Sequence, residues 1–132
     1  MKLRIMLQPD PTLRALRLLE TDGGKMQASA LALELDSTAS YLPQVLGTLV
    51  RVDWLASEPG PGGGYRLAER LNDRSLLELI ELIEGPADDG SCVLRKGECS
   101  PDAQCAPHAA WQESRDALLA RLSTVSISQH EP

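Results

Sequence analysis

The sequence predicts a mainly α-helical fold with one small β-hairpin, a winged helix-turn-helix followed by a long C-terminal helix. Three observations predict it. Two short helical stretches are joined by the polar turn Asp36-Ser37-Thr38, the footprint of a helix-turn-helix. A strand–glycine turn–strand pattern, Trp54 to Ala68, follows at once and reads as a wing. The chain then closes on a helical stretch from Ala109 to Leu122.

Each element has its own signal. Asp10-Pro11 reads as an acidic N-cap followed by proline at the first helical position. Leu13, Leu16, Arg17 and Leu19 keep helical spacing, and Gly23-Gly24 stops that helix. A second, Ala- and Leu-rich helix covers roughly 27–35, and a third roughly 39–52. Trp54-Leu55-Ala56-Ser57 and Tyr65-Arg66-Leu67-Ala68 are the strands, with Glu58 to Gly64 as the turn between them. Leu76, Leu79, Ile80 and Ile83 lie on one face of a helix from Ser75 to Glu84, which Gly85-Pro86 ends. Residues 87–107 are a loop rich in Asp, Gly, Pro and Cys. In the last helix the apolar positions are Trp111, Leu118, Leu119 and Leu122.

Composition bounds what the chain can be. Its 132 residues fit one compact domain, and a 42% hydrophobic fraction can supply a core. With two Trp, two Tyr and no Phe, that core must be aliphatic. No apolar run approaches the roughly 18 residues of a membrane span. The start, Met1 to Leu7, lacks the apolar stretch of a secretory signal, so a cytoplasmic location is expected. A net charge of −6 runs against the usual basic balance of a DNA binder. Whole-chain charge does not decide the matter where basic residues gather on one face.

Chemistry concentrates in one loop. Cys92-x6-Cys99-x5-Cys105 holds all three cysteines of the chain, with Gly90, Gly97 and Pro101 letting the backbone wrap around a common centre. Three is an odd number for disulfides, and soft thiolates so grouped suit zinc or an iron–sulfur cluster. The spacing is wider than the Cys-x2-Cys knuckles of a zinc ribbon. The plain alternative is three free thiols on a loop. A fourth ligand is expected, and two residues compete for it. His108 stands three residues after Cys105 at the start of the last helix, where it can equally be a solvated histidine. Asp10 offers a carboxylate, or is an ordinary N-cap.

For nucleic acid, the third helix presents Thr38, Ser40, Tyr41, Gln44 and Thr48, polar groups able to reach phosphates and base edges. Arg51 and Arg66 add positive charge, and Gly62-Gly63-Gly64-Tyr65 forms a turn that can approach a phosphate backbone. A polar solvated face and an ordinary turn are the alternatives. No nucleophile is paired with a base and no phosphate loop occurs, so an enzyme is not expected.

Taken together these residues resemble the winged-helix family of iron–sulfur transcription regulators that contains IscR and NsrR. The resemblance covers about residues 3–128. It is carried by Pro9-Asp10 with Leu13-Arg14-Ala15-Leu16, by Ser40-Tyr41-Leu42 with Gln44, Leu46 and Leu49-Val50-Arg51, and by Gly60 to Ala68. Leu79-Ile80, Glu84-Gly85 and the three cysteines with Trp111 complete it. It implies a homodimer built on the C-terminal helix, binding palindromic double-stranded promoter DNA, with cluster state controlling affinity or sequence choice. Cys105-x2-His108-x2-Trp111 looks like the members with a [2Fe–2S] cluster on three cysteines and a histidine. Asp10 before Leu13-Arg14 looks like the nitric-oxide sensor, whose partner subunit donates an aspartate to a [4Fe–4S] site.

Three positions depart from the family pattern. Glu58-Pro59 stands where a basic wing residue is usual, Pro43 sits early in the third helix, and Asp53 replaces a glycine after it. The expected organisation is a DNA-binding domain over 1–85, a cluster-binding loop over 86–107, and a dimerisation helix with tail over 108–132. The expected function is a cluster-dependent regulator sensing nitric oxide, redox state or cluster supply. The alternative is a metal- or thiol-based sensor or assembly protein with little DNA binding.

Overall fold

The computed structural model describes residues 9–35, 42–68 and 70–129, with 9, 10 and 129 described by backbone alone. Three helices come first: α1 (Pro9–Asp22), α2 (Ala28–Glu34) and α3 (Leu42–Arg51). Strands β1 (Leu55–Glu58) and β2 (Gly64–Leu67) form the wing. A 3₁₀ turn, Leu71–Asp73, leads into α4 (Leu76–Glu84); after the cysteine loop come α5 (His108–Thr124) and a last 3₁₀ turn, Ile127–Gln129. The mainly α winged helix is as the sequence predicts.

The core is aliphatic, as the shortage of aromatics requires. Leu13, Leu16 and Leu19 of α1 meet Leu31 of α2, Val45, Leu46 and Leu49 of α3, and Leu79 of α4. Trp54, Leu55, Leu71 and Ile127 close it. Spacings of three and four residues put these side chains on single helix faces, which is why periodicity finds them.

The start of α1 differs from expectation. Pro9 and Asp10 are both already helical, so Asp10 lies inside the helix and is not its N-cap. Pro9 and Pro11 both fall in the first turn, where backbone N–H groups have no intrahelical partner and proline loses nothing. Asp36, Thr38, Ser40 and Tyr41, read above as the turn and the reading face of the third helix, lie outside the described residues.

The end of α3 shows how an Asp replaces a glycine. Asp53 has φ +61°, the one left-handed non-glycine among the described residues. Its N–H donates to Val50 O (3.1 Å) and Trp54 N–H donates to Leu49 O (3.0 Å), the paired bonds of a Schellman ending. Burial of Trp54 offsets the strained backbone. The wing then pairs Leu55 with Leu67 and Glu58 with Gly64. Tyr65 also exchanges two backbone bonds with Met26, 2.8 and 2.9 Å, so the segment before α2 adds a third short rung. A side chain at Gly64 would stand 2.6 Å from Met26 O, and one at Gly63 would collide with the Glu58 carbonyl. These glycines serve close approach inside the wing itself.

The last helix packs along α4 but buries none of its residues, and Leu118 is 47% exposed. Beyond it the chain returns to the common core. Leu76 N–H donates to Val125 O (2.7 Å), Ile127 N–H to Arg74 O (3.0 Å), and Ser126 Oγ to Leu71 O (3.2 Å). Ile127 itself is fully buried. The far end of α5 is thereby clipped to the segment that follows the wing.

Candidate metal centre

Short local turns assemble the site. Gly85, at φ +86°, ends α4 and releases the chain into the loop. Asp88 Oδ1 accepts from Gly90 N–H (3.0 Å) and Asp89 Oδ1 from Ser91 N–H (2.9 Å). Ser91 bridges Glu98, and Cys92 N–H donates to Gly97 O (2.8 Å), folding Cys92 and Cys99 toward each other. His108 N–H donates to Cys105 O (3.0 Å), which seats the third cysteine at the head of α5.

The three sulfurs converge. Cys105 Sγ lies 3.6 Å from both Cys92 Sγ and Cys99 Sγ, and all three fall within 4.8 Å of one another. They line a cavity of about 130 Å³ together with His108, Trp111 and Arg115. The Leu94 backbone N–H, 3.4 Å from Cys92 Sγ, leads the interactions that hold the Cys92 thiol down to about 6. Burial, then the neighbouring sulfurs, push Cys105 up to about 11. Arg95 spans the loop, its Nη2 donating to Ala103 O at 2.9 Å, and the Cys99 and Cys92 sulfurs beside it raise its own pKa. Arg115, 10% exposed, pairs with Asp88 at 2.9 Å and Asp116 at 3.0 Å. Trp111 Nε1 is buried without an acceptor.

The donor set fits a thiolate-bound metal or cluster. Thiolates are the ligands of zinc and of iron–sulfur centres, and an electron-rich sulfur centre suits a wall carrying an orphan N–H and a nearby guanidinium. The two 3.6 Å edges at Cys105 are close to those of a tetrahedral centre, in which metal–sulfur bonds of about 2.3 Å give sulfur–sulfur edges of about 3.8 Å. His108 lies on the same wall but outside the compact sulfur group. The Asp10 carboxylate lies outside what is described.

Of the residues expected to reach DNA, Gln44 and Arg51 are exposed on α3. Arg51 Nη2 donates to Thr48 Oγ1 (3.0 Å), and Thr48 Oγ1 to Gln44 O (3.1 Å). Gly62 is exposed at the wing tip, whereas Gly63 is buried in the turn and Gly64 and Tyr65 are half-buried. The acidic wing residue is not a free charge. Glu58 accepts from Lys25 Nζ at 2.7 Å, with Arg66 Nε 3.9 Å from its other oxygen, and the Lys25 bond holds its carboxyl below the usual range. Sequence reading missed Lys25, Arg95 and the Asp88–Arg115 pair, because contacts between distant exposed positions leave no periodic signal.

Known proteins carry the same fold. Residues 10–130 match the Rrf2 family, described as an iron-dependent transcriptional regulator. The regulator IscR of Photobacterium profundum is 26% identical over 111 residues, 84% of this chain, and the match spans 64% of that protein's length. The structure of CymR, the global cysteine regulator of B. subtilis, superposes with a TM-score of 0.77 at 22% identity, over 97% of this chain and 95% of that one. T. potens IscR gives a TM-score of 0.72 at 18% identity, over 98% and 86% of the two chains. At such identities the structural likeness is one of fold. Relatives named as transcriptional regulators, the winged helix and the family match over most of the length lead to one assignment: the chain belongs to the Rrf2 family of transcriptional regulators.

Proposed function

We propose that this regulator binds palindromic promoter DNA in the cytoplasm as a homodimer, and that Cys92, Cys99 and Cys105 hold an iron–sulfur cluster whose state sets DNA affinity. The observation that carries this reading is the convergence of three thiol sulfurs within 4.8 Å on one loop. When bound, such a cluster supplies a centre reactive toward nitric oxide, oxygen or electrons. The chain's own residues do the rest. The three cysteines close the loop, Asp88 ties it to Arg115 of α5, and Val125 to Ile127 clip the far end of α5 beside the wing. Ordering of the loop thus biases the set of the reading head through a continuous physical connection.

Asp10 and His108 are the proposed fourth ligands, the first for a [4Fe–4S] and the second for a [2Fe–2S] cluster. Asp10 is favoured by its sequence neighbours, and His108 by its place in the cavity wall. Cluster spectra of Asp10→Ala beside His108→Ala decide between them.

A second reading is favoured by the 3.6 Å sulfur spacing: one tetrahedral metal ion on the three cysteines, in a sensor with weak DNA binding. Anaerobic purification separates the two. Brown protein with iron and acid-labile sulfide supports the cluster, and colourless protein with one zinc per chain overturns it.

A further inference from the structure

We infer that Trp111 donates a hydrogen bond from Nε1 to a metal-bound sulfur of the three-cysteine centre and thereby tunes it. The inference rests on the reading that this centre is loaded. Trp111 is fixed in the first turn of α5, its backbone N–H donating to Pro107 O at 2.8 Å. Its side chain lines the cavity that holds Cys92, Cys99, Cys105 and His108. Yet its Nε1 is buried with no acceptor, one of two such side-chain atoms among the described residues.

An indole N–H can only donate, and buried donors in folded proteins almost always find an acceptor. Asp88 is the one carboxylate among the residues lining the cavity, and its Oδ1 already accepts from Gly90 N–H and from Arg115 Nη1. The three sulfurs share this cavity with the indole. A thiol sulfur is a weak acceptor, but a metal-bound thiolate or bridging sulfide carries charge and accepts well. Loading therefore creates the partner that Trp111 lacks. Hydrogen bonds to sulfur stabilise the more negative, reduced state and so raise the reduction potential. Groups that support ligands in this way are worth about ten- to a hundredfold in metal affinity.

The test uses cluster-loaded full-length protein and Trp111→Phe, which keeps a ring but removes the donor. In wild type the iron–sulfur stretching bands of the resonance Raman spectrum should shift on transfer to D2O. In Trp111→Phe that indole-dependent shift should vanish, the midpoint potential should become more negative, and iron should pass to a chelator about tenfold faster. A wild type that holds its cluster but matches the variant in all three sinks this inference and leaves the cluster reading intact. Should the purified protein carry zinc and no iron, the cluster reading falls, and the metal-free protein is titrated with Cd2+ instead. The Trp111 indole N–H resonance should then move downfield on loading, and an unmoved resonance overturns the inference. The wild-type D2O and Cd2+ measurements decide equally well if Trp111→Phe does not fold.

Discussion

Arg115 of α5 donates to Asp88 of the cysteine loop over 2.9 Å, with the arginine only 10% exposed and the aspartate 45%. A nearly buried guanidinium needs its counter-charge, so this pair fastens the beginning of the loop to the final helix. Arg115→Met keeps the aliphatic bulk and removes the fastening. Stability should fall by about 1–2 kcal/mol, as for losing a charge-assisted hydrogen bond at a half-exposed carboxylate. Proteolytic cleavage within 86–107 should quicken several-fold under native conditions. An unchanged cleavage rate would show that the sulfurs and local turns hold the loop without Arg115.

Replacing any one of Cys92, Cys99 or Cys105 by Ala should abolish stable metal or cluster binding and leave helical content unchanged. No residue of the loop belongs to the buried core, so the cofactor is not needed to fold the helices. Iron, sulfide and zinc analysis with circular dichroism tests both halves. Full metal content in all three variants would remove the site assignment.

Ile127 is fully buried and is the residue by which the chain's last segment enters the core. Ile127→Ala should cost about 2–5 kcal/mol, the range for truncating a buried aliphatic side chain. If α5 is clipped to the reading head as the backbone bonds at Leu76 and Arg74 indicate, the effect of cluster loss on DNA affinity should also shrink. Denaturant unfolding gives the first quantity, and binding titrations with and without the cluster give the second.

What the sequence made visible is whatever obeys local rules. The helix faces of Leu13, Leu16 and Leu19, the glycine stop at Gly23, the hairpin and the cysteine loop all follow from periodicity, turn chemistry and spacing. The Ile127 clip and the Met26–Tyr65 rung escaped, since each joins segments dozens of residues apart with nothing periodic in either. The final helix shows the opposite case. Trp111, Leu118, Leu119 and Leu122 read as an apolar face, yet none is buried within this chain. Asp10 proved to lie inside α1 and not at its cap, since proline is tolerated in a first turn and Asp10-Pro11 alone does not mark the boundary.

The start of α4 makes a pH prediction. Ser75 Oγ accepts from Glu78 N–H (3.1 Å) while Glu78 Oε2 accepts from Ser75 N–H (2.7 Å), a closed capping box. The Ser75 backbone N–H first, then Arg74 and the Ser75 side chain, hold the Glu78 carboxyl below its ordinary range. A pKa lowered in the folded state stabilises fully above the unfolded value and loses that contribution as pH falls through the folded one. Ser75→Ala should cost about 1 kcal/mol near neutrality. Glu78→Gln can keep the acceptor without the charge, so its stability should decline less steeply in acid than that of wild type. Equal acid limbs in urea titrations would refute the charge's role.

The last prediction concerns DNA and turns on Glu58. Lys25 at 2.7 Å and Arg66 at 3.9 Å are both drawn to its carboxylate, so the wing spends its cations internally. With few charges left for phosphates, wild-type affinity should fall gently with salt, since the slope of log K against log salt counts neutralised phosphates. Glu58→Gln would release Lys25 and Arg66, and Glu58→Arg would add a further cation. Both should tighten binding to specific and non-specific DNA alike, and Glu58→Arg should steepen the slope by about one to two. Gln44→Ala should behave differently. An exposed glutamine on α3, the proposed reading helix, can pair two-fold with adenine, so its loss should remove about 1–3 kcal/mol of discrimination while non-specific binding changes little. Fluorescence anisotropy on a selected operator and a scrambled duplex, across a salt series, reads all four quantities. A Glu58→Arg slope equal to wild type would place the wing away from the phosphates. A Gln44→Ala loss shared equally by both duplexes would take Gln44 off the base edges.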